Sequence, residues 1–186
     1  AAAADAGSYD VVVTGSCGTV TSSAATLTVN SGAAISSSPV NQTVCEGGPA
    51  SFSVTATGTG LSYQWRKNGA PISGATNSSF TIPAAAAADA GSYDVVVTGS
   101  CGTITSSAAT LTVNSGAAIT APPVNQTVCE GGPASFSVSA TGTGLSYQWR
   151  KNGAPISGAT NSSFAIPAAA AADAGSYDVV VTGSCG

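Results

Sequence analysis

The sequence has no histidine, no methionine, and only four basic and eight acidic residues among 186. No serine or cysteine has a plausible neighbouring base, and the few acids are not paired, so we expect no enzyme activity. We expect no cofactor and no metal site. The net charge of −4 excludes the clustered basic surface that nucleic-acid binding needs. No apolar run approaches the ~20 residues that cross a bilayer, so we expect no membrane span.

The cysteines are the reactive residues that the chain does have, five in all. In a chain without histidine they fit disulfides in an oxidising setting better than metal binding or redox catalysis. We therefore expect a secreted protein, extracellular or on the cell surface. The sequence shows no initiator methionine and no signal peptide, which we interpret as an internal or processed piece of a longer array.

The chain repeats itself with a period of 84 residues. Residues 33–102 and 117–186 differ at only five positions, and the phrase ADAGSYDVVVTGSCG occurs three times. A period of this length is enough for one small domain. We predict an N-terminal segment (1–30), which is the C-terminal part of a truncated repeat. A complete central repeat (33–114) and a C-terminal repeat lacking its last strand (117–186) follow.

Within the central repeat, short alternating segments predict strands. Phe52, Val54 and Ala56 alternate with polar residues, and Leu61, Tyr63 and Trp65 do the same before an Asn68-Gly69 hairpin turn. Further strands are expected at 39–44 on an edge, at 79–82, at 93–98 and at 103–113, with a helical turn in the alanine run 84–88. About seven strands per repeat, with turns every 8–12 residues, predict an all-β fold of tandem β-sandwiches.

Three phrases carry a resemblance to a known family: Phe52-Ser53-Val54-Thr55-Ala56, Tyr63-Gln64-Trp65 and Asp89-Ala90-Gly91-Ser92-Tyr93-Asp94-Val95. They resemble strands B, C and F of the immunoglobulin-like domains, of the intermediate type found in tandem arrays of bacterial surface proteins. The resemblance implies a head-to-tail array with a core tryptophan and a tyrosine corner in each repeat. It also implies that valines occupy the usual cysteine positions. The expected core residues are Trp65, Tyr93, Val54 and Val95, with Trp149, Tyr177, Val138 and Val179 in the next repeat.

The same resemblance puts the cysteines at opposite ends of a repeat, Cys45 in the A–B turn and Cys101 in the F–G turn. Strands of about nine residues separate these ends by ~30 Å, too far for a disulfide, which needs Cα atoms within about 7 Å. In a head-to-tail array, Cys45 instead meets Cys185 of the following repeat. We predict a Cys45–Cys185 disulfide, with Cys17, Cys101 and Cys129 paired to partners outside this sequence. Bonds to another chain and unpaired thiols are the alternatives.

The repeat pattern favours a structural function, an extracellular fibre or stalk stiffened by disulfides between repeats. The linker 114–118 is small and is expected to be flexible without them. The partner we expect is the chain itself, as neighbouring repeats or neighbouring chains in a filament. Alternatives are the spacer of an adhesin, whose tip ligand the sequence does not reveal, and a repeated glycan- or protein-binding module using Tyr63 or Trp65. Strand donation between short subunits is a further alternative to one continuous chain.

Overall fold

The computed structural model describes all residues from 1 to 186, and its regular secondary structure consists of short strands and three short 3-10 turns. None of its helices has the length and apolar character needed to cross a membrane. By contacts, the chain divides into two compact units, each described by itself. The first contains residues 1–41, 51–81 and 91–110, and the second contains residues 42–50, 82–90 and 111–186.

The N-terminal segment forms two small ladders. Its four strands are β1 (Gly7–Tyr9), β2 (Val12–Gly15), β3 (Gly18–Thr21) and β4 (Ala25–Leu27). β1 pairs with β4, and β2 and β3 form a hairpin. No facing sheet covers them, so Tyr9 is 55% exposed and Leu27 is 40% exposed. The segment has strand structure without a hydrophobic core of its own.

The central repeat contains ten strands. They are β5 (Ala34–Ser37), β6 (Gln42–Cys45), β7 (Ala50–Ser53), β8 (Thr55–Thr57), β9 (Ser62–Lys67), β10 (Ala70–Pro71), β11 (Ser79–Ile82), β12 (Gly91–Gly99), β13 (Gly102–Thr105) and β14 (Ala109–Asn114). The main sheet has the order β10-β9-β12-β14-β6, with β13 also on β12, while β5 pairs with β8 and β7 with β11. β6 and β14 run parallel, whereas β9 pairs antiparallel with β10 and β12, β12 with β13, and β5 with β8. This is the all-β architecture that the sequence predicts.

The core of the central repeat gathers around Trp65, which is 0% exposed. Its indole nitrogen donates a hydrogen bond to the Asn77 carbonyl at 2.9 Å, which satisfies the one polar group that the ring buries. Phe52 stacks on Tyr93 with ring centroids 4.8 Å apart. Val95, directly opposite Trp65 in the β12–β9 register, is also fully buried. Residues 62–67 form a strand because the aromatic rings on one of its faces pack against this core.

Two local features differ from the sequence-based expectation, and one agrees with it. Ala34–Ser37 forms a strand where none was predicted, paired with β8. The long strand expected at 103–113 is interrupted at the buried Ser106, which turns back to hydrogen-bond Val95 through both its backbone and its hydroxyl group. The alanine run forms the single helical turn that is expected, a 3-10 turn at Ala87–Asp89, because five alanines are too few for a stable helix.

The C-terminal repeat has seven strands: β15 (Ala118–Ala121), β16 (Ala134–Ser137), β17 (Ser139–Thr141), β18 (Ser146–Lys151), β19 (Ala154–Pro155), β20 (Ser163–Ile166) and β21 (Tyr177–Thr182). Its core centres on the fully buried Trp149 and on Val138. β21 is shorter than its counterpart β12, and residues 126–129 form no strand. Residues 117–186 contain no equivalents of β13 and β14, the strands that pair with β12 and β6 in the central repeat.

Candidate functional site

The chain contains one disulfide, between Cys45 and Cys185, which is the pairing that the sequence predicts. The Cα atoms are 5.6 Å apart, although 140 residues separate the two cysteines in sequence. Both belong to the second compact unit. Cys45 ends β6 and Cys185 lies in the turn after β21, so the bond joins the central repeat to the C-terminal repeat.

Cys45 is held by the parallel pairing of β6 with β14. Asn114 is its partner in the register, and the next residue, Glu46, donates its backbone N–H to the Asn114 carbonyl at 2.8 Å. Asn114 is also the last residue before the linker. The strand end that carries Cys45 and the start of the linker are therefore fixed to each other by backbone hydrogen bonds.

The linker is also hydrogen-bonded on its other side. The Ser115 N–H donates to the Thr143 hydroxyl oxygen at 3.0 Å, and the Thr143 N–H donates to the Ser115 carbonyl at 3.2 Å. Only residues 115–117 lie between β14 and β15. The segment 114–118, which is expected to be flexible in the absence of a disulfide, is strand at both ends and hydrogen-bonded between them.

The approach of the linker to this loop is close enough to require glycine. Gly142 has a φ of 142°, and a Cβ built on it would lie 2.8 Å from the Gly116 carbonyl oxygen. Any other side chain would clash with the linker backbone. Next to it, the Ser184 N–H donates to the Thr143 carbonyl at 2.8 Å, which connects the loop to the turn that carries Cys185. We name the contacts of Ser115, Gly116, Thr143 and Cys185 the linker clasp.

The same clasp occurs one period earlier, within the first compact unit. The Ser31 N–H donates to Thr59 at 3.0 Å, and the Cys101 thiol donates to the Asn30 carbonyl at 3.6 Å. The difference is the cysteine: Cys101 is exposed and carries no disulfide. Cys17 and Cys129 are likewise exposed thiols, and the disulfides predicted for these three cysteines remain predictions.

The predicted core residues are buried to different extents in the two repeats. In the central repeat, Trp65, Tyr93, Val54 and Val95 are all buried. In the C-terminal repeat, Trp149 and Val138 are buried, whereas Tyr177 and Val179 are half-buried. The Tyr177 hydroxyl donates to the Asp173 carbonyl at 2.8 Å, and Tyr9 makes the same bond to Asp5 at 2.6 Å. These two bonds form the tyrosine corner that the resemblance implies.

Both arginines form ion pairs with aspartates on the neighbouring strand. Arg66 and Asp94 face each other in the β9–β12 register and share two hydrogen bonds of 2.8 and 2.7 Å. The equivalent hydrogen bond from Arg150 lowers the pKa of Asp178 below its ordinary value. Asp89 caps the alanine turn by accepting the Ala86 N–H at 2.9 Å. The structure contains no group of three acids, cysteines or histidines that could hold a metal ion.

No sequence pattern pointed to Ser115 and Thr143, the residues that anchor the linker. Their hydrogen bonds cross 28 residues and follow no periodic pattern. One signal was available: the pentapeptide Asn-Ser-Gly-Ala-Ala recurs unchanged at 30–34 and 114–118.

Tandem β-sandwiches with a buried tryptophan and a tyrosine corner define an immunoglobulin-like class of protein. The model for the immunoglobulin domain matches residues 34–98 and 118–182, and the chain belongs to that family. A decoration protein of Escherichia phage T5 is 52% identical over 62 residues, covering 32% of this chain and 38% of that protein. Muscle M-line assembly protein unc-89 of Caenorhabditis elegans is 32% identical over 204 residues, covering 98% of this chain but only 2% of unc-89.

Solved structures agree on the fold. The I-band fragment I67–I69 from titin superposes with a TM-score of 0.72 at 16% identity, covering 86% of this chain and 63% of the fragment. At this identity the likeness concerns the fold alone. The predicted tandem immunoglobulin-like fold is confirmed.

Proposed function

We propose that the chain is part of an extracellular fibre or stalk of stacked immunoglobulin-like repeats, stiffened by disulfides between consecutive repeats. The observation that carries the proposal is the Cys45–Cys185 bond beside the hydrogen-bonded linker. Two consecutive repeats are thereby joined twice, once through the backbone and once through sulfur. A double connection restricts bending and twisting at that joint more than a single peptide linker does.

Three further observations support a structural role. The repeats are nearly identical, which suits a function that depends on length and not on variable binding loops. A disulfide in a chain of this kind belongs to an oxidising compartment, which supports a secreted or surface location. The 32% identical relative, unc-89, bears the name of a muscle assembly protein, and we extend to this chain only its structural character. The bacterial surface origin and the absence of enzyme activity belong to the same proposal.

The adhesin-spacer function differs from this proposal only in what lies beyond the repeats. A ligand-binding function has less support, because Trp65 and Trp149 are each 0% exposed and cannot stack on a sugar ring. Tyr63 and Tyr147 are half-buried on the same strands. The burial of these aromatic residues therefore favours a role in core packing over a role in ligand binding.

Pulsed electron paramagnetic resonance tests the stiffness of the joint. Spin labels are attached through a non-canonical amino acid at Ser53 and Ser137, which are exposed counterparts in the two repeats. A Cys45→Ser/Cys185→Ser variant is compared with the parent chain, and Cys129→Ser is the matched control because its thiol carries no disulfide. We expect the distance distribution to broaden about twofold in the double variant alone. Equal widths in all three chains would refute the stiffening.

A further inference from the structure

Both halves of the disulfide joint also occur in this structure with a free thiol in place of the bond. The turn that carries Cys45 has its counterpart one period later at Cys129, and the turn that carries Cys185 has its counterpart one period earlier at Cys101. Cys101 and Cys129 are exposed thiols. The bonded and thiol states of each turn therefore reveal which contacts of the joint need the sulfur bond.

The turn that carries Cys45 has the same hydrogen bonds in both states. The Gly48 N–H donates to the Cys45 carbonyl at 2.8 Å, and the Gly47 N–H donates to the Ala85 carbonyl at 2.7 Å. In the counterpart around Cys129, the two equivalent hydrogen bonds measure 2.9 and 2.7 Å. This turn therefore has the same backbone structure with a free thiol as with the disulfide.

The linker clasp is equally independent of the bond. In the bonded joint, the Ser115 N–H donates to the Thr143 hydroxyl oxygen at 3.0 Å, and the Thr143 N–H donates to the Ser115 carbonyl at 3.2 Å. Around Cys101 the equivalent distances are again 3.0 and 3.2 Å. A Cβ built on Gly142 or on its counterpart Gly58 would lie 2.8 Å from a linker carbonyl oxygen in either case. The clasp therefore forms whether or not its cysteine is bonded.

We propose that the backbone forms this joint before the sulfur bond exists, so that the linker clasp positions Cys185 for its reaction with Cys45. Gly142 and Thr143 are then positioning residues for the disulfide, because they hold the linker against the turn that carries Cys185. The ordering of the two turns does not have to accompany bond formation, since it is complete in the thiol state. Preorganised groups react with effective concentrations far above those of groups on a flexible tether.

The short path through the linker determines which cysteines are brought together. Asn114 pairs with Cys45 in the parallel ladder, and two residues later a Cβ built on Gly116 would lie 3.4 Å from the Cys185 carbonyl oxygen. These contacts bring the Cα atoms of Cys45 and Cys185 to 5.6 Å, within the range that a disulfide needs. The clasp therefore favours this pair over pairings with the other three cysteines.

The bond itself forms by thiol–disulfide exchange with a small disulfide such as oxidised glutathione. Cys45 is exposed whereas Cys185 is half-buried, so the Cys45 thiolate attacks the glutathione disulfide first and releases one glutathione thiolate. The Cys185 thiolate then attacks the Cys45 sulfur and releases the second glutathione. The two protein sulfurs are oxidised, the glutathione disulfide is reduced, and the two protons of the protein thiols end on the two glutathione molecules. The inference rests on the proposed function, because it concerns how the stiffened joint is made.

Equilibration with glutathione measures how strongly the two cysteines are preorganised. In a chain that carries Cys17→Ser, Cys101→Ser and Cys129→Ser, alkylation and mass spectrometry give the fraction of closed joints at each ratio of reduced to oxidised glutathione. This fraction yields the effective concentration of Cys45 for Cys185. We expect a value at least about 100-fold above the order of 1 mM that a flexible tether gives. A value below about 10 mM would refute preorganisation without the need for any clasp variant.

Clasp variants in the same chain test the two positioning residues. Gly142→Ala should lower the effective concentration about tenfold or more, because its Cβ excludes the linker from the clasp. Thr143→Val removes one hydrogen-bond acceptor, keeps the glycine, and should lower the value about threefold. Gly58→Ala and Thr59→Val are the matched controls, since they make the same changes in the clasp around residue 101, and they should leave the value unchanged.

Two outcomes decide the positioning role. Equal losses in Gly58→Ala and Gly142→Ala would assign the effect to general destabilisation and overturn it, whereas a loss confined to Gly142→Ala supports it. Failure here would leave the stiffness of the joint intact, because the width of the distance distribution is measured with the bond already formed. Conversely, equal widths in that experiment would leave the effective concentration unaffected.

Discussion

Leu111→Ala should destabilise the central repeat strongly, whereas the same change at its counterpart Leu27 should not. Leu111 is 1% exposed, whereas Leu27, in the same local sequence, is 40% exposed. Replacing a fully buried leucine by alanine costs about 2–5 kcal/mol, because transfer free energy is lost and a cavity remains. We expect about 3 kcal/mol for Leu111→Ala. With a denaturant slope of about 1.5 kcal/mol/M in urea, the unfolding midpoint should fall by about 2 M.

The two tryptophans make the measurement specific to one repeat. Trp65 and Trp149 are both 0% exposed, one in each repeat, so a Trp149→Phe background leaves Trp65 as the reporter of the central repeat. Leu27→Ala in that background should leave the Trp65 midpoint unchanged, since Leu27 contributes nothing to this core. If Leu111→Ala shifted the midpoint by less than about 0.5 M, or if Leu27→Ala shifted it equally, β14 would not be the strand that closes the sandwich.

The remaining predictions concern single contacts. Asn68→Ala should destabilise the central repeat by about 1–2 kcal/mol in urea unfolding, because Asn68 has a φ of 49° and its side chain accepts the Ser92 N–H, while Asn68→Gly should cost less. Tyr177→Phe should cost about 1 kcal/mol, measured by Trp149 fluorescence, by removing the bond to the Asp173 carbonyl. Because the bond to Arg150 lowers the pKa of Asp178 in the folded state, this pair stabilises above the ordinary aspartate pKa and loses its effect as pH falls through the lowered one. Acid unfolding of Arg150→Met should therefore show a weaker pH dependence in that range than the parent chain.

The sequence predicted those features that depend on local patterns. The family resemblance placed Trp65 and Val95 in the core, and the Asn68-Gly69 pair produced the expected two-residue hairpin between β9 and β10. The period together with the family resemblance also led to the Cys45–Cys185 pairing. The hairpin follows from two adjacent residues. The core and the disulfide follow from the family resemblance, the latter together with the 84-residue period.

The features that the sequence did not predict depend on distant partners. β5 has little apolar character and exists because β8 offers it a ladder. Ser106 breaks a strand because its hydroxyl group binds the Val95 N–H, 11 residues earlier. The linker is ordered by Thr143, which a composition-based estimate of flexibility does not consider. The roles of small polar residues are therefore the hardest to predict from the sequence, since their hydrogen bonds to distant residues do not follow the spacing that identifies strands and turns.

The parallel pairing of β6 and β14 determines how the central repeat would carry tension. Four residue pairs join the strands, from Leu111↔Gln42 to Asn114↔Cys45. A pull transmitted only through the linker would draw β14 past β6 and load this ladder in shear, so that all its bonds would have to break together. The disulfide changes the path by which force enters the repeat. Force arriving through Cys185 enters β6 at Cys45, beside the point where the backbone enters β14, so both strands are drawn from the same end and the ladder between them is relieved of shear.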